Sequence, residues 1–234
     1  MSQRFLYQSP NGYCYNSDSI FLYSFIREFK IKGKVLDIGC GVGILTLLLA
    51  KEFDAKYYAV EKQEEMSFYA KKNFEINKVS VNLSNIDFKD YKEQDFDFII
   101  SNPPFYKVDN NQSPNISKNI ARYEHHLPLE LLIKKSAKLL KPKGYFIFCY
   151  DAWQIDDILS LLKLYKLQPE FIRFLHPKAN KEAKIVMIAA RKASKAKSKV
   201  LAPLIVFNSD GTYTKEAKDA FKAANTHSIK AVRD

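Results

Sequence analysis

From residue 34 onward the chain alternates short apolar runs with longer amphipathic ones. "KVLDIG" (34–39), "KYYAVE" (56–61), "VSVNLS" (79–84), "DFDFIIS" (95–101) and "YFIFCYD" (145–151) have the length and side chains of strands. Between them, "ILTLLLAKEF" (44–53), "EEMSFYAKKNFEIN" (64–77), "PLELLIKKSAKLLK" (128–141) and "QIDDILSLLKLYKL" (154–167) predict helices. In the second of these, Met66, Tyr69, Ala70, Phe74 and Asn77 fall at helical spacing. Pro142 and Gly144 mark the end of the third. "EFIRFLH" (170–176) and "KIVMIAARK" (184–192) read as two last strands joined without a helix, hence antiparallel. The pattern predicts a doubly wound α/β sheet, mostly parallel with its last strand antiparallel. Ligands of such sheets bind beyond the carboxyl ends of the strands.

Residues 1–33 form a lead-in with one helix, "SIFLYSFIREF", after a turn at Asn11-Gly12. Residues 34–191 form the α/β domain, and residues 192–234 a basic extension that packs on it or trails from it. Composition adds a partner class. A net charge of +11, with 17 Phe and 14 Tyr in 234 residues, leans toward a polyanion such as nucleic acid; a lysine-rich solvated surface is the plainer alternative. Cys14, Cys40 and Cys149 are far apart and form no CxxC or His/Cys cluster, so neither a metal site nor a disulfide framework is expected. With no apolar run of transmembrane length and no signal-like N-terminus, a cytoplasmic location is expected.

"VLDIGCGVG" sets Asp37, Gly39, Gly41 and Gly43 at the end of the first domain strand. The glycines allow a tight turn and close approach of a ligand. The spacing is not that of a dinucleotide fingerprint, and a carboxylate just before the turn would repel a pyrophosphate. A cationic or zwitterionic ligand fits better, and S-adenosylmethionine offers both a sulfonium and an ammonium. Glu61 ends the second strand, where an acid accepts both ribose hydroxyls. Asp87 with Phe88 follows the third, placed for an adenine amino group and ring. A tight turn flanked by surface acids is the bland alternative.

"SNPPF" ends the fourth strand. An exocyclic amine must become more tetrahedral to attack a methyl group, and two acceptors aimed at its hydrogens favour that geometry. Asn102 supplies a side-chain carbonyl and Pro103 a backbone carbonyl, while Pro104 stiffens the pair. Phe105 offers a ring for a flipped base. A merely rigid turn is the alternative reading.

With these residues in place, 34–191 resembles the class I, Rossmann-like S-adenosylmethionine-dependent methyltransferases that carry an NPP(F/Y) motif. That resemblance implies a seven-stranded sheet, S-adenosylmethionine as cofactor, and a planar nitrogen as acceptor. "NGYCYNSDSIFLYSFI" (11–26), "ARYEHHLPLELL" (121–132), "FLHPKANKEAKIVMIAARK" (174–192) and "LAPLIVFNSDGTYTKEAKD" (201–219) resemble segments of bacterial tRNA1(Val) adenine-N6-methyltransferases. The implied substrate is a tRNA adenine next to the anticodon. Guanine N2 or protein glutamine methylation, or a silent RNA-binding scaffold, stay open, the first because Phe105 stands where many adenine enzymes have Tyr.

By the same resemblance Tyr15, Asp18 and Ser19 cover the methionine end of the cofactor; a helix cap explains them equally. Arg122, His176, Lys178 and Lys181, with Arg191 and Lys192 of "RKASKAKSK", are candidate RNA contacts, against ion pairs or a solvated linker. The polar stretch 107–120 reads as a substrate loop, and His125 and His126 as surface residues.

Overall fold

The computed structural model describes residues 3–10, 15–105 and 127–231. The expected turn at Asn11-Gly12, the stretch 107–120, Arg122, His125 and His126 lie outside them. The strands are β1 (Arg4–Gln8), β2 (Lys34–Ile38), β3 (Lys56–Val60), β4 (Val81–Ser84), β5 (Phe96–Ser101), β6 (Leu140–Asp151), β7 (Leu167–His176), β8 (Ile185–Lys192), β9 (Lys199–Val200), β10 (Leu204–Ile205) and β11 (Thr226–Lys230). The helices are α1 (Ser17–Ile26), α2 (Ile44–Ala50), α3 (Glu64–Ile76), α4 (Leu129–Leu139), α5 (Ile155–Leu164) and α6 (Lys215–Ala224).

The main sheet runs β10-β7-β8-β6-β5-β2-β3-β4, with β9 also on β7. β2 through β8 are the seven expected strands. β8 runs antiparallel to both β6 and β7, and the remaining core pairs are parallel. Central strands are apolar on both faces: Val35, Leu36, Ile38, Ile99, Ile100, Phe146, Ile147 and Phe148 are all buried, as helices covering both sides require.

One boundary differs from the pattern. The apolar period of α4 carries on to Leu140, but the helix stops at Leu139 and β6 begins at once. Lys143 adopts φ +67° and the register with β5 shifts between Phe96 and Phe98. A Cβ on Gly144 would stand 3.0 Å from the Phe96 and Asp97 carbonyl oxygens. Pro142 and Gly144 therefore mark a bulge inside a long strand rather than a helix end.

The two flanks of the sequence meet. β1 pairs in parallel with β11, forming a small second sheet. β10 adds to β7, and α6 packs on α1, with Phe21 and Phe221 ring centroids 5.5 Å apart. That is why α1 is apolar on nearly every side: Ile20, Phe21, Leu22, Tyr23, Phe25 and Ile26 are all buried. The buried Arg4 side chain donates to the Ala223 and Ala224 carbonyls at the carboxyl end of α6, where a cation suits the helix dipole.

The other edge of β1 is closed by a helix. Asn73 and Asn77 lie one turn apart on α3 and are buried. Asn73 Oδ1 accepts the Tyr7 N–H (2.6 Å), and its Nδ2 donates to the Tyr7 and Val42 carbonyls (3.0 and 2.9 Å). Asn77 does the same for Phe5, accepting at 3.2 Å and donating at 2.7 Å. The two amides stand in for a neighbouring strand, satisfying backbone groups that would otherwise be buried unpaired. Asn73→Leu keeps the branching of the side chain but strands the Tyr7 N–H and the Tyr7 and Val42 carbonyls. It should lower unfolding free energy by about 2–4 kcal/mol in urea denaturation, more than Asn77→Leu. Equal, sub-kilocalorie losses would show that β1 does not depend on these amides.

Candidate active site

β2 ends in the glycine turn. Gly39 (φ +65°) and Gly41 (φ +56°) are left-handed, and a Cβ on either would meet nothing within 4 Å, so this side of the turn is open. The Gly39 and Cys40 amides both donate to the Val60 carbonyl, fixing the turn to the end of β3. Gly43 serves otherwise. A Cβ there would lie 2.6 Å from the Phe74 ring, so it lets α2 pack on α3 and stands outside the cavity that the other glycines line.

Asp37 is 1 % exposed. Its Oδ2 accepts from the Thr46 hydroxyl at 2.7 Å, and its Oδ1 has no partner. Burial pushes its pKa up to about 7, against the Thr46 bonds that pull it down. Glu61 follows β3 and is also buried. Its Oε2 accepts from the Gly41 amide (3.0 Å) and its Oε1 from the Gln63 amide (2.8 Å). Burial raises its pKa despite those two donors. Each oxygen keeps a lone pair for a further hydroxyl. Asp87 caps a single 3-10 turn, Phe88–Asp90, through the Lys89 amide.

The fourth strand brings Asn102 to the same place. Its Nδ2 donates to the Ser19 hydroxyl (2.9 Å), and its Oδ1 accepts the Cys149 S–H (3.0 Å). Burial holds the Cys149 thiol well above its ordinary pKa, so it stays a donor. With Oδ1 toward Cys149 the thiol donates to the amide's good acceptor, whereas a reversed amide would leave its N–H on sulfur, a weak acceptor; the orientation seen is the better-matched one.

One cavity collects Tyr15, Ser19, Asp37, Gly39, Gly41, Glu61, Asp87, Phe88, Asn102, Pro103, Pro104 and Phe105. The Tyr15 hydroxyl is held against Thr226 of β11 at 2.8 Å. Asp18 is not in the cavity. It accepts from Asn16 Nδ2 (2.6 Å), faces a neighbouring groove, and burial raises its pKa to about 6. Sequence reading missed three residues here. Thr46, the one polar residue in "ILTLLLA", was a readable signal. Asn16, whose buried Oδ1 has no partner and which lines the cavity, and Cys149, inside an apolar strand, gave none. Among the described residues no group of three or more His, Cys, Asp or Glu could hold a metal, and no helix is long and apolar enough to cross a membrane.

The basic candidates divide. His176, Lys178 and Lys181 sit at the carboxyl end of β7 and in the hairpin after it, on the cavity's side of the sheet. Arg191 and Lys192 do not. β8 is antiparallel, so its carboxyl end lies beside the starts of the parallel strands: Arg191 pairs with Tyr145, itself level with Phe98. That is four residues, about 13 Å, before Asn102 along the strand. Arg191 donates to the Lys143 carbonyl and lies near Glu170, while Lys192 donates to the Leu140 carbonyl. Both lie at the end of the sheet away from the cavity.

A doubly wound sheet with a glycine turn, successive strand-end acids and Asn-Pro-Pro-Phe in one cavity defines a class I methyltransferase. The chain belongs to the methyltransferase small domain family, whose model matches residues 16–154. It is 31% identical to the tRNA1(Val) (adenine(37)-N6)-methyltransferase of Phocaeicola vulgatus over 66% of this chain and 67% of that one. It is 32% identical to that of Pedobacter heparinus, over 71% and 72%. The fold matches the crystal structure of a predicted O-methyltransferase from Agrobacterium tumefaciens with a TM-score of 0.69, at 16% identity, over 92% of this chain and all of that one. S-adenosylmethionine is the cofactor of this class, and the cavity fits it. Two buried oxygens, Asp37 Oδ1 and Asn16 Oδ1, are short of a donor, and the open face of the glycine turn leaves room beside them.

Asp37 carries a pH signature. Its folded pKa of about 7 lies above the ordinary 3.8, so the ligand-free fold binds the extra proton between those values. Stability is therefore lost as pH rises through that window, and the full penalty stands above about pH 7. Asp37→Asn should raise the melting temperature of the ligand-free protein more at pH 8 than at pH 5. In calorimetry the same shift at both pH values would mean that the carboxylate is not strained.

Proposed function

We propose that this protein transfers the methyl group of S-adenosylmethionine to N6 of an adenine in tRNA, the adenine at position 37 of tRNA1(Val). The observation that carries the reading is the fixed amide of Asn102, in one cavity with Asp37, Glu61 and Asp87. Relatives at about 30% identity that bear this activity in their names support the substrate.

In this reading Asp37 Oδ1 and Asn16 Oδ1 accept from the ammonium of the cofactor, and the free lone pairs of Glu61 accept from its ribose hydroxyls. Asp87 takes the adenine amino group, with Phe88 along the ring. When bound, the cofactor supplies an electrophilic methyl group on a sulfonium that leaves as a neutral thioether. Asn102 Oδ1, one lone pair on the weak Cys149 donor, turns the other to the target amine. The Pro103 carbonyl accepts a hydrogen bond from its second N–H, drawing the lone pair out of the ring, and the methylated amine then releases its surplus proton to solvent. Both acceptors are held before substrate arrives, Asn102 by Ser19 and Cys149, Pro103 by the ring of Pro104. Phe105 stacks on the base.

The deciding experiment incubates the protein with labelled S-adenosylmethionine and tRNA lacking N6-methyladenine, then identifies the labelled nucleoside by mass spectrometry. N6-methyladenosine is expected. N2-methylguanosine would move the target to the other purine, and label only on protein glutamine would refute an RNA substrate. Asn102→Ala should lower kcat by about 10²–10³-fold while the cofactor Kd, by calorimetry, stays within about twofold; equal loss of both would remove Asn102 from the acceptor role. Phe105→Tyr should yield the same nucleoside, because either ring stacks.

A further inference from the structure

Beside the catalytic cavity lies a second concavity, a groove of about 440 Å³. Phe105 belongs to the lining of both, so the groove opens from the point where the target base would stack. One wall is Trp153, on the short turn after β6. It is the one tryptophan of the chain and is 68 % exposed. Its amide donates to Asp151 Oδ1 (3.0 Å), which sets the turn, and the Lys184 ammonium lies 5.4 Å over its ring centroid. The opposite wall is Phe207 with Tyr213, rings stacked at 4.9 Å and 26°. The segment holding them is bound to β7 and the residue after it: the Val206 and Phe207 amides donate to the His176 and Pro177 carbonyls. Lys178 and Lys181 lie on the adjoining hairpin.

Trp153 is not an isolated exposed ring: it shares the groove lining with Phe105, Phe207 and Tyr213, so several aromatic faces meet one concavity. Its lining carries both signs: Asp18, Asp151 and Lys184. Lys178 and Lys181 lie on the hairpin beside it, Lys178 Nζ on the Ser209 carbonyl. A phosphate is drawn to Lys184, whereas a base edge with amino hydrogens finds acceptors in the two carboxylates. Aromatic platforms flanked by cations are how single-stranded nucleic acid is held.

Resting on the RNA reading above, we propose that this groove binds the nucleotide next to the target in the RNA strand. Its base stacks on Trp153, facing Phe207 and Tyr213, and its phosphate meets Lys184. Phe207 and Tyr213 lie beyond the residues matched by the family model. The groove thus joins a wall of the catalytic domain to one supplied by the C-terminal segment.

The indole reports on its own occupancy. Titrating the wild-type protein with an unmodified anticodon stem-loop RNA should quench its tryptophan emission. Trp153→Ala should raise the KM for that RNA about tenfold, the scale of one lost base–aromatic stack. kcat and cofactor Kd should stay within about twofold, and Trp153→Phe should recover most of the loss. An abasic site beside the target, on one of its two sides, should cost the wild type the same factor and cost Trp153→Ala nothing further. Unquenched emission, an unchanged KM, or fully additive losses at both neighbours would overturn the groove while leaving RNA methylation intact. If the wild type labels no RNA at all, the RNA reading falls and the groove assignment with it.

Discussion

The fully buried amide of Asn73 joins three parts of the molecule that sequence keeps far apart. It sits on α3, closes the free edge of β1 at Tyr7, and holds the Val42 carbonyl of the glycine turn. With Asn77 it turns a helix face into the partner of a strand. This works because one helical turn rises about 5.4 Å, close to the ~6.7 Å between alternate strand residues, so two amides at i and i+4 reach residues i and i+2 of a strand. The other edge of β1 is then free for β11, and β11 brings Thr226 to Tyr15 in the cavity wall. The position of the glycine turn, the N-terminal segment and the C-terminal segment are coupled through that amide. None would be tied to the others by apolar packing alone, which is indifferent to register.

The same economy governs the cavity. Asp37 is buried with one oxygen satisfied and one not, a costly state for a carboxylate. A proton or a hydrogen-bond donor relieves that cost, and in the proposed function the ammonium of the cofactor supplies the donor. Asn102 is the reverse case. Both ends of its amide have partners before substrate arrives, one a hydroxyl and the other a thiol, the weakest of the common donors. In the proposed reaction a strong donor in place of Cys149 would compete with the target amine for Oδ1. A buried cysteine orients the oxygen and leaves most of its basicity available.

What could be read from the chain was what is local. Seven strands declared themselves by short apolar runs, the turn by its glycines, the rigid stretch after the fourth strand by Asn-Pro-Pro, and the strand-end acids by their place after each run. What could not be read depended on partners distant in sequence. "RFLYQ" has no pattern that sets it against residues 226–230, and Asn77, at the helical spacing of Met66, Tyr69, Ala70 and Phe74, gave no sign that it caps a strand. Arg191 and Lys192 show the limit more sharply. A basic run declares charge but not which end of a strand it occupies, and an antiparallel last strand carries it to the end remote from the cavity. Asp18 missed the cavity for a smaller reason: adjacent residues at a helix start point in different directions, so Ser19 and Asn16 face the site while Asp18 faces the groove.

The division between chemistry and recognition follows from the same topology. Every residue assigned to the cofactor or to the acceptor pair, except Tyr15 at its edge, falls within 16–154, the part the methyltransferase small domain model matches. The C-terminal segment adds none of them, yet it covers the apolar outer side of α1 through Phe221, extends the sheet at β10, and holds Tyr15 through Thr226. Its cost in chain entropy is offset by burial that α1 would otherwise lack. Because it is anchored by the fold itself, the loop between β10 and α6 is free to present Phe207 and Tyr213 beside the catalytic cavity without disturbing it. If the groove holds RNA as proposed, a rigid chemical centre with a separately anchored aromatic wall lets the recognised strand vary while the geometry around Asn102 does not.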